Sequence, residues 1–213
     1  MITFWKRVNR WISVSLSTLF LLLFLAACGG VGNSNPTPTP LPPTPTPSPT
    51  AIPTQAPQFQ TYKGDGFTID YPQGWKIQSG QQGAIVFTDA QQFNTVTVVA
   101  VPNPGGAVSA SQQLTLGLAG AEKLENVSNV QPVSLPSTTK VGGETWVQSG
   151  VTGNVKVQGA SVPGKLVGLA DNHPANSPTT KTYEIYYGGP TLSFEQEDAQ
   201  AFQPMLESFK FTA

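Results

Sequence analysis

Ten prolines between Pro36 and Pro57 decide how this chain is organised. The run from Pro36 to Thr50 reads Pro-Thr-Pro-Thr-Pro-Leu-Pro-Pro-Thr-Pro-Thr-Pro-Ser-Pro-Thr, and a weaker continuation reaches Gln58. Each proline fixes φ and removes a backbone donor, so neither helix nor sheet forms there and polyproline II is the default. Such a spacer extends by about 3.1 Å per residue and lifts whatever follows it by several tens of ångströms. Alternating Thr and Pro also suits an O-glycosylated stalk, and a ligand for a proline-binding module is the sharper alternative. The sequence able to build a core is confined to residues 59–213, enough for a single domain.

The segment before the spacer is of another kind. Lys6, Arg7 and Arg10 are the only charges ahead of Lys63. Ile12 to Ala27 is uncharged and mostly apolar, and it closes in Leu25-Ala26-Ala27-Cys28. A charged start, an apolar middle and small residues at the end make a secretory signal. The run is shorter than the roughly 20 residues of a spanning helix, and no cations follow it. Leu25 to Cys28 resembles the bacterial lipobox. The resemblance implies that Cys28 receives diacylglycerol, that the chain is cut before it, and that acyl chains such as palmitate hold the product on the outer face of a membrane. An uncleaved signal anchor is the alternative. The expected organisation is a lipoprotein signal over 1–28, a disordered linker over 29–58 and a folded domain over 59–213. Cys28 is the only cysteine, so no intrachain disulfide forms.

Charge narrows the partners. Three of the 11 basic residues lie in the leader, which leaves eight against 12 acidic ones and a net charge of about −4. A mildly acidic domain without a basic cluster has no electrostatic footprint for nucleic acid, nor a stripe to grip anionic headgroups. The expected contacts are with the membrane, through the N-terminal lipid, and with an unidentified protein or envelope partner.

Alternation of apolar and polar residues predicts strands at Phe67–Tyr71, Trp75–Ile77, Ala84–Phe87, Thr95–Val101, Val127–Leu135, Gly143–Val151, Lys165–Ala170 and Thr182–Tyr187. Ser109 and Gln112 have capping-box spacing, and Leu114, Leu118, Ala121 and Leu124 recur at helical intervals, so a helix is expected over about 110–125. Gly117 and Gly120 within it suit a close approach to a sheet. A second helix follows Ser193, with Ala199, Phe202, Leu206 and Phe209 as its apolar stripe and Pro204 as an interruption. Strands clustered around two separated helices predict an α+β fold: an antiparallel sheet flanked by helices.

Tyr62-Lys-Gly-Asp-Gly-Phe-Thr-Ile-Asp-Tyr-Pro-Gln-Gly-Trp75 resembles the opening of PsbP-like domains, in which a Gly-Phe strand runs into Tyr-Pro-x-Gly-Trp. Phe202-Gln-Pro-Met-Leu-Glu-Ser-Phe-Lys-Phe211 is similar to that family's last helix and strand. The resemblance implies an α/β/α sandwich, shared with Mog1-like proteins. The family includes an extrinsic subunit of photosystem II and many bacterial lipoproteins without assigned activity. The photosynthetic role rests on binding residues that the resemblance does not place in this sequence, so it implies the fold and not the task.

Groups that change protonation state are scarce. His173 is the only histidine, and Asp171-Asn172-His173 offers three possible metal ligands in a row, with Asp171 and His173 the candidates. They lie in what reads as a polar loop before Pro174, where adjacent residues seldom converge on one ion. No Gly-x-Ser-x-Gly turn is present, and lipid occupies the one thiol. Gly159-Ala-Ser-Val-Pro-Gly-Lys-Leu166 nearly spells a phosphate loop but lacks the final Ser or Thr. Asp65, Asp70, Glu195, Glu197 and Asp198 read as a turn, a strand face and a helix start. Trp75, Trp146, Tyr183 and Tyr187 read as core, whereas Tyr186 and Trp146 also suit an exposed groove. The expectation is a binding module without catalysis or cofactor. The alternatives are a metal-dependent hydrolase using Asp171, His173 and a distant carboxylate, and a small-ligand carrier using aromatic strand faces.

Overall fold

The computed structural model describes residues 57–157 and 159–212; the expected signal, Cys28 and most of the linker lie outside the described residues. Among the described residues, eleven antiparallel strands carry the fold. Phe59–Lys63 (β1) and Phe67–Pro72 (β2) form a small sheet with Lys210–Phe211 (β11), in the order β1-β2-β11. The large sheet contains Lys76–Ser79 (β3), Ile85–Thr88 (β4), Thr95–Pro102 (β5), Val127–Pro132 (β6), Thr138–Val141 (β7), Glu144–Val157 (β8), Ala160–His173 (β9) and Lys181–Pro190 (β10). Its order is β3-β4-β5-β10-β9-β8-β6, with β7 also paired to β8.

The period of two along each strand gives this sheet two unlike faces. On the front lie Val96 and Val98 of β5, Val167 and Leu169 of β9, and Tyr183, Ile185 and Tyr187 of β10, all buried. They pack against Phe67 and Ile69 of β2 and against a C-terminal helical stretch contributing Phe194, Phe202, Met205, Leu206 and Phe209. Trp146 belongs here, fully buried, with its ring edge-on to Phe209 at 5.2 Å. That corrects the groove expected at Trp146.

The back face carries one helix, Ala110–Glu122 (α1). Its capping box forms as expected: Ser109 Oγ accepts from the Gln112 amide at 3.2 Å, and Gln112 Oε1 accepts from the Ser109 amide at 3.2 Å. Leu114 and Leu118 pack on Ala170. Gly117 has the expected role, because a Cβ there would overlap the Tyr186 hydroxyl; at Gly120 a Cβ would meet nothing.

The second helical stretch is broken into Phe194–Glu197 (α2), a π-helical turn over Asp198–Phe202 and Gln203–Ser208 (α3). Pro204 near the start of α3 has no amide hydrogen to return to the preceding turn, and the backbone widens there. Ser193, just before α2, makes no side-chain capping bond. The chain is mainly β, with few helices, so the expected α+β balance shifts toward strand. The short strands β1, β7 and β11 and the 14-residue length of β8 and β9 account for the difference.

Candidate functional site

The expected metal candidates are not on a loop. Strand β9 runs through them, and His173 pairs with Lys181 on β10. Asp171 and His173 lie two residues apart and share a face. The Asp171 carboxyl titrates above its ordinary range because it is half-buried, an effect partly offset by the Asn172 amide and the His173 charge. The imidazole stacks on Phe211. Among the described residues, no three His, Cys, Asp or Glu side chains gather as a metal site requires. The near-phosphate loop Gly159–Leu166 is the hairpin turn and first half of β9, with no helix after it to face an anion.

The other carboxylates each answer to a separate neighbour. Asp65 pairs with Lys181 at 2.8 Å, Asp70 accepts from Thr61 at 2.6 Å, and Glu195 pairs with Lys165 at 3.0 Å. Burial raises Glu197 and Asp198 above the usual carboxylate range, with Asp89 and Glu195 respectively adding repulsion.

The site that does form lies on the back of the large sheet, beyond α1. Thirteen helical residues span about 20 Å, whereas the 14-residue strands beneath span about 46 Å. The far end of the β8–β9 hairpin is therefore left uncovered. Val151, Val155 and Val157 alternate along β8, and Val162 pairs with Val155 across the hairpin. With Val127 and Val130 of β6 they wall a cleft of about 300 Å³. Phe93, 50% exposed, and Leu124, 37% exposed, also line it.

A second stretch of about 460 Å³ continues this trough along the strands. Thr95 of β5 and Gly188 of β10 line the first stretch, and Thr97 and Tyr186, the next residues on the same face, line the second. Ala121 and Leu166 are shared by both. Glu184 also lines the second stretch and is only 5% exposed. Its Oε2 accepts from the Tyr186 hydroxyl, and among the described residues its Oε1 has no partner. Burial, and then the bond to Glu184, pushes the Tyr186 phenol well above its ordinary value. Tyr186 was expected as a groove residue and is one; Glu184 and the valines were not foreseen. No single segment signals them, because the cleft arises from the unequal lengths of α1 and β8–β9.

No known family model matches this chain, and no curated protein sequence matches it. Among solved structures, a protein of Bacteroides thetaiotaomicron VPI-5482 is similar with a TM-score of 0.46 and 11% identity, over 75% of this chain. The chain spans 50% of the length of that protein. LpqN of Mycobacterium tuberculosis, a protein involved in cell envelope biogenesis, is similar with a TM-score of 0.43 and 17% identity, over 73% of this chain and 91% of LpqN.

Proposed function

We propose that this chain is a membrane-anchored, extracytoplasmic lipoprotein whose PsbP-like domain, an antiparallel sheet between helices, binds a small apolar molecule without catalysis. The aliphatic trough beyond α1 carries this reading. Concave, mostly apolar surfaces with a few polar groups are the usual form of small-molecule sites. Water against such a surface is unfavourable by about 25 cal/mol per Å², and an occupant removes that cost. Among the sequence-based alternatives this is the small-ligand carrier, with the ligand drawn from aliphatic walls more than from aromatic faces. The lipobox and the proline spacer support display at a membrane surface, where apolar molecules are plentiful. No helix among the described residues is long and apolar enough to cross a membrane.

The test is to purify the lipidated full chain from its native envelope and identify the small molecules that accompany it. The control is Val155→Lys, which places a charge in the trough wall. The wild type should retain an apolar compound that the variant loses. Equal recovery from both would refute the proposal.

A further inference from the structure

We propose that the trough's ligand carries a protonated primary amine, held by the carboxylate of Glu184. This rests on the reading of the trough as a ligand site and specifies the head group. Glu184 is buried beneath α1, and only one of its oxygens has a donor, the Tyr186 hydroxyl. A buried carboxylate with an empty oxygen is a costly arrangement unless something brings it a donor, preferably a cation. The described residues supply none to the second oxygen. The residues lining this stretch include no Lys, Arg or His. Lys165, which lines the adjoining stretch, has its ammonium on Glu195 at 3.0 Å and over the Phe194 ring at 4.1 Å.

Gly117 leaves room above the carboxylate oxygen that is bonded to Tyr186. A Cβ there would stand 3.3 Å from Glu184 Oε2 besides displacing Tyr186. The helix thus bears a glycine at an interior position, where its propensity is poor, directly above the carboxylate. Thr97 and Gln113 line the same stretch and carry acceptor oxygens suited to the remaining ammonium hydrogens. A metal ion would need several such ligands gathered together, and one carboxylate does not supply them. The aliphatic walls continue past Ala121 and Leu166 to Val155 and Val162, which matches an amine on an apolar chain. No bond is made or broken; the ligand binds as an ion.

The experiment uses the full lipidated chain in lipid nanodiscs and three photoreactive alkyl probes of equal length, ending in an amine, an alcohol or a carboxylate. Cross-linked residues are mapped by mass spectrometry. The amine should label the trough about tenfold more efficiently than the alcohol, the scale of one charge-assisted hydrogen bond. Glu184→Gln should lower amine labelling to the alcohol level, whereas Tyr186→Phe, which keeps the carboxylate, should not. Amine and alcohol labelling alike in the wild type, or unchanged amine labelling in Glu184→Gln, overturns the head-group assignment while leaving the trough occupied. Absence of trough labelling by all three overturns the ligand site itself, and the head group with it.

Discussion

The imidazole of His173 lies flat on the ring of Phe211, with centroids 3.6 Å apart and planes 7° from parallel. Phe211 in turn stacks on Trp146 at 5.9 Å, so the histidine continues an aromatic column that begins in the core. His173→Ala should therefore cost about 1 kcal/mol, more than a solvated loop residue would. Urea denaturation of wild type and variant checks this. A difference below a few tenths would show that the stack contributes nothing. Calorimetric titration with zinc should give no heat that depends on His173; a stoichiometric, His173-dependent signal would restore the metal reading.

Gly117→Ala inverts the usual expectation for a helix interior. Alanine improves helix propensity by roughly 1 kcal/mol, yet here its Cβ would overlap the Tyr186 hydroxyl. The variant should be destabilised by about 1–3 kcal/mol, as overpacked sites are. A raised melting temperature would show that α1 lifts away from the sheet at no cost. The double variant Gly117→Ala with Tyr186→Phe should recover part of the loss, because the overlapping oxygen is gone.

Two phenols with strongly raised titration, Tyr186 and Tyr187, set an alkaline limit. Burial, first among the causes, holds both Tyr186 and Tyr187 protonated beyond their ordinary range. In the unfolded chain they ionise near pH 10, so above that pH the unfolded state binds fewer protons than the folded one. Stability is then fully present below about pH 10 and falls as pH rises past it. Melting temperatures across this range should decline, less steeply in Tyr187→Phe. An identical slope in the variant would show that this phenol is not the cause.

Anchoring is tested apart from the fold. Cys28→Ala should abolish incorporation of labelled palmitate and leave an uncleaved or released protein. Equal labelling of variant and wild type would place the lipid elsewhere or nowhere.

How much was legible depended on whether a feature is written in one segment or arises between two. The alternation in Thr95 to Val101 and the pairing of Ser109 with Gln112 are local, and both elements formed where the sequence put them. Strand β9 was cut short at Ala170 because Asp171-Asn172-His173 reads as a polar loop. Its polarity is absorbed by neighbours distant in sequence: Asn172 Oδ1 accepts from Thr182 at 2.7 Å, and Asn172 Nδ2 donates to the Val108 carbonyl at 2.9 Å. Strand β11 has two residues and no pattern of its own; its partner β2 defines it. The trough was hidden for a similar reason, since it is a mismatch in length between α1 and β8–β9 and belongs to neither alone.

The small sheet places Phe211 opposite Phe67, and the stacked pair Phe67–Phe209 closes the front of the core. Nearly the whole domain lies between these partners in sequence. Loop closure over such a distance makes folding slow, and no early fragment can keep its apolar residues covered. Were the expected signal to export the chain amino end first, the domain would stay unfolded until α3 and β11 had passed. Delivered in that order, the polypeptide would stay threadable during export, and its core would close only on the far side.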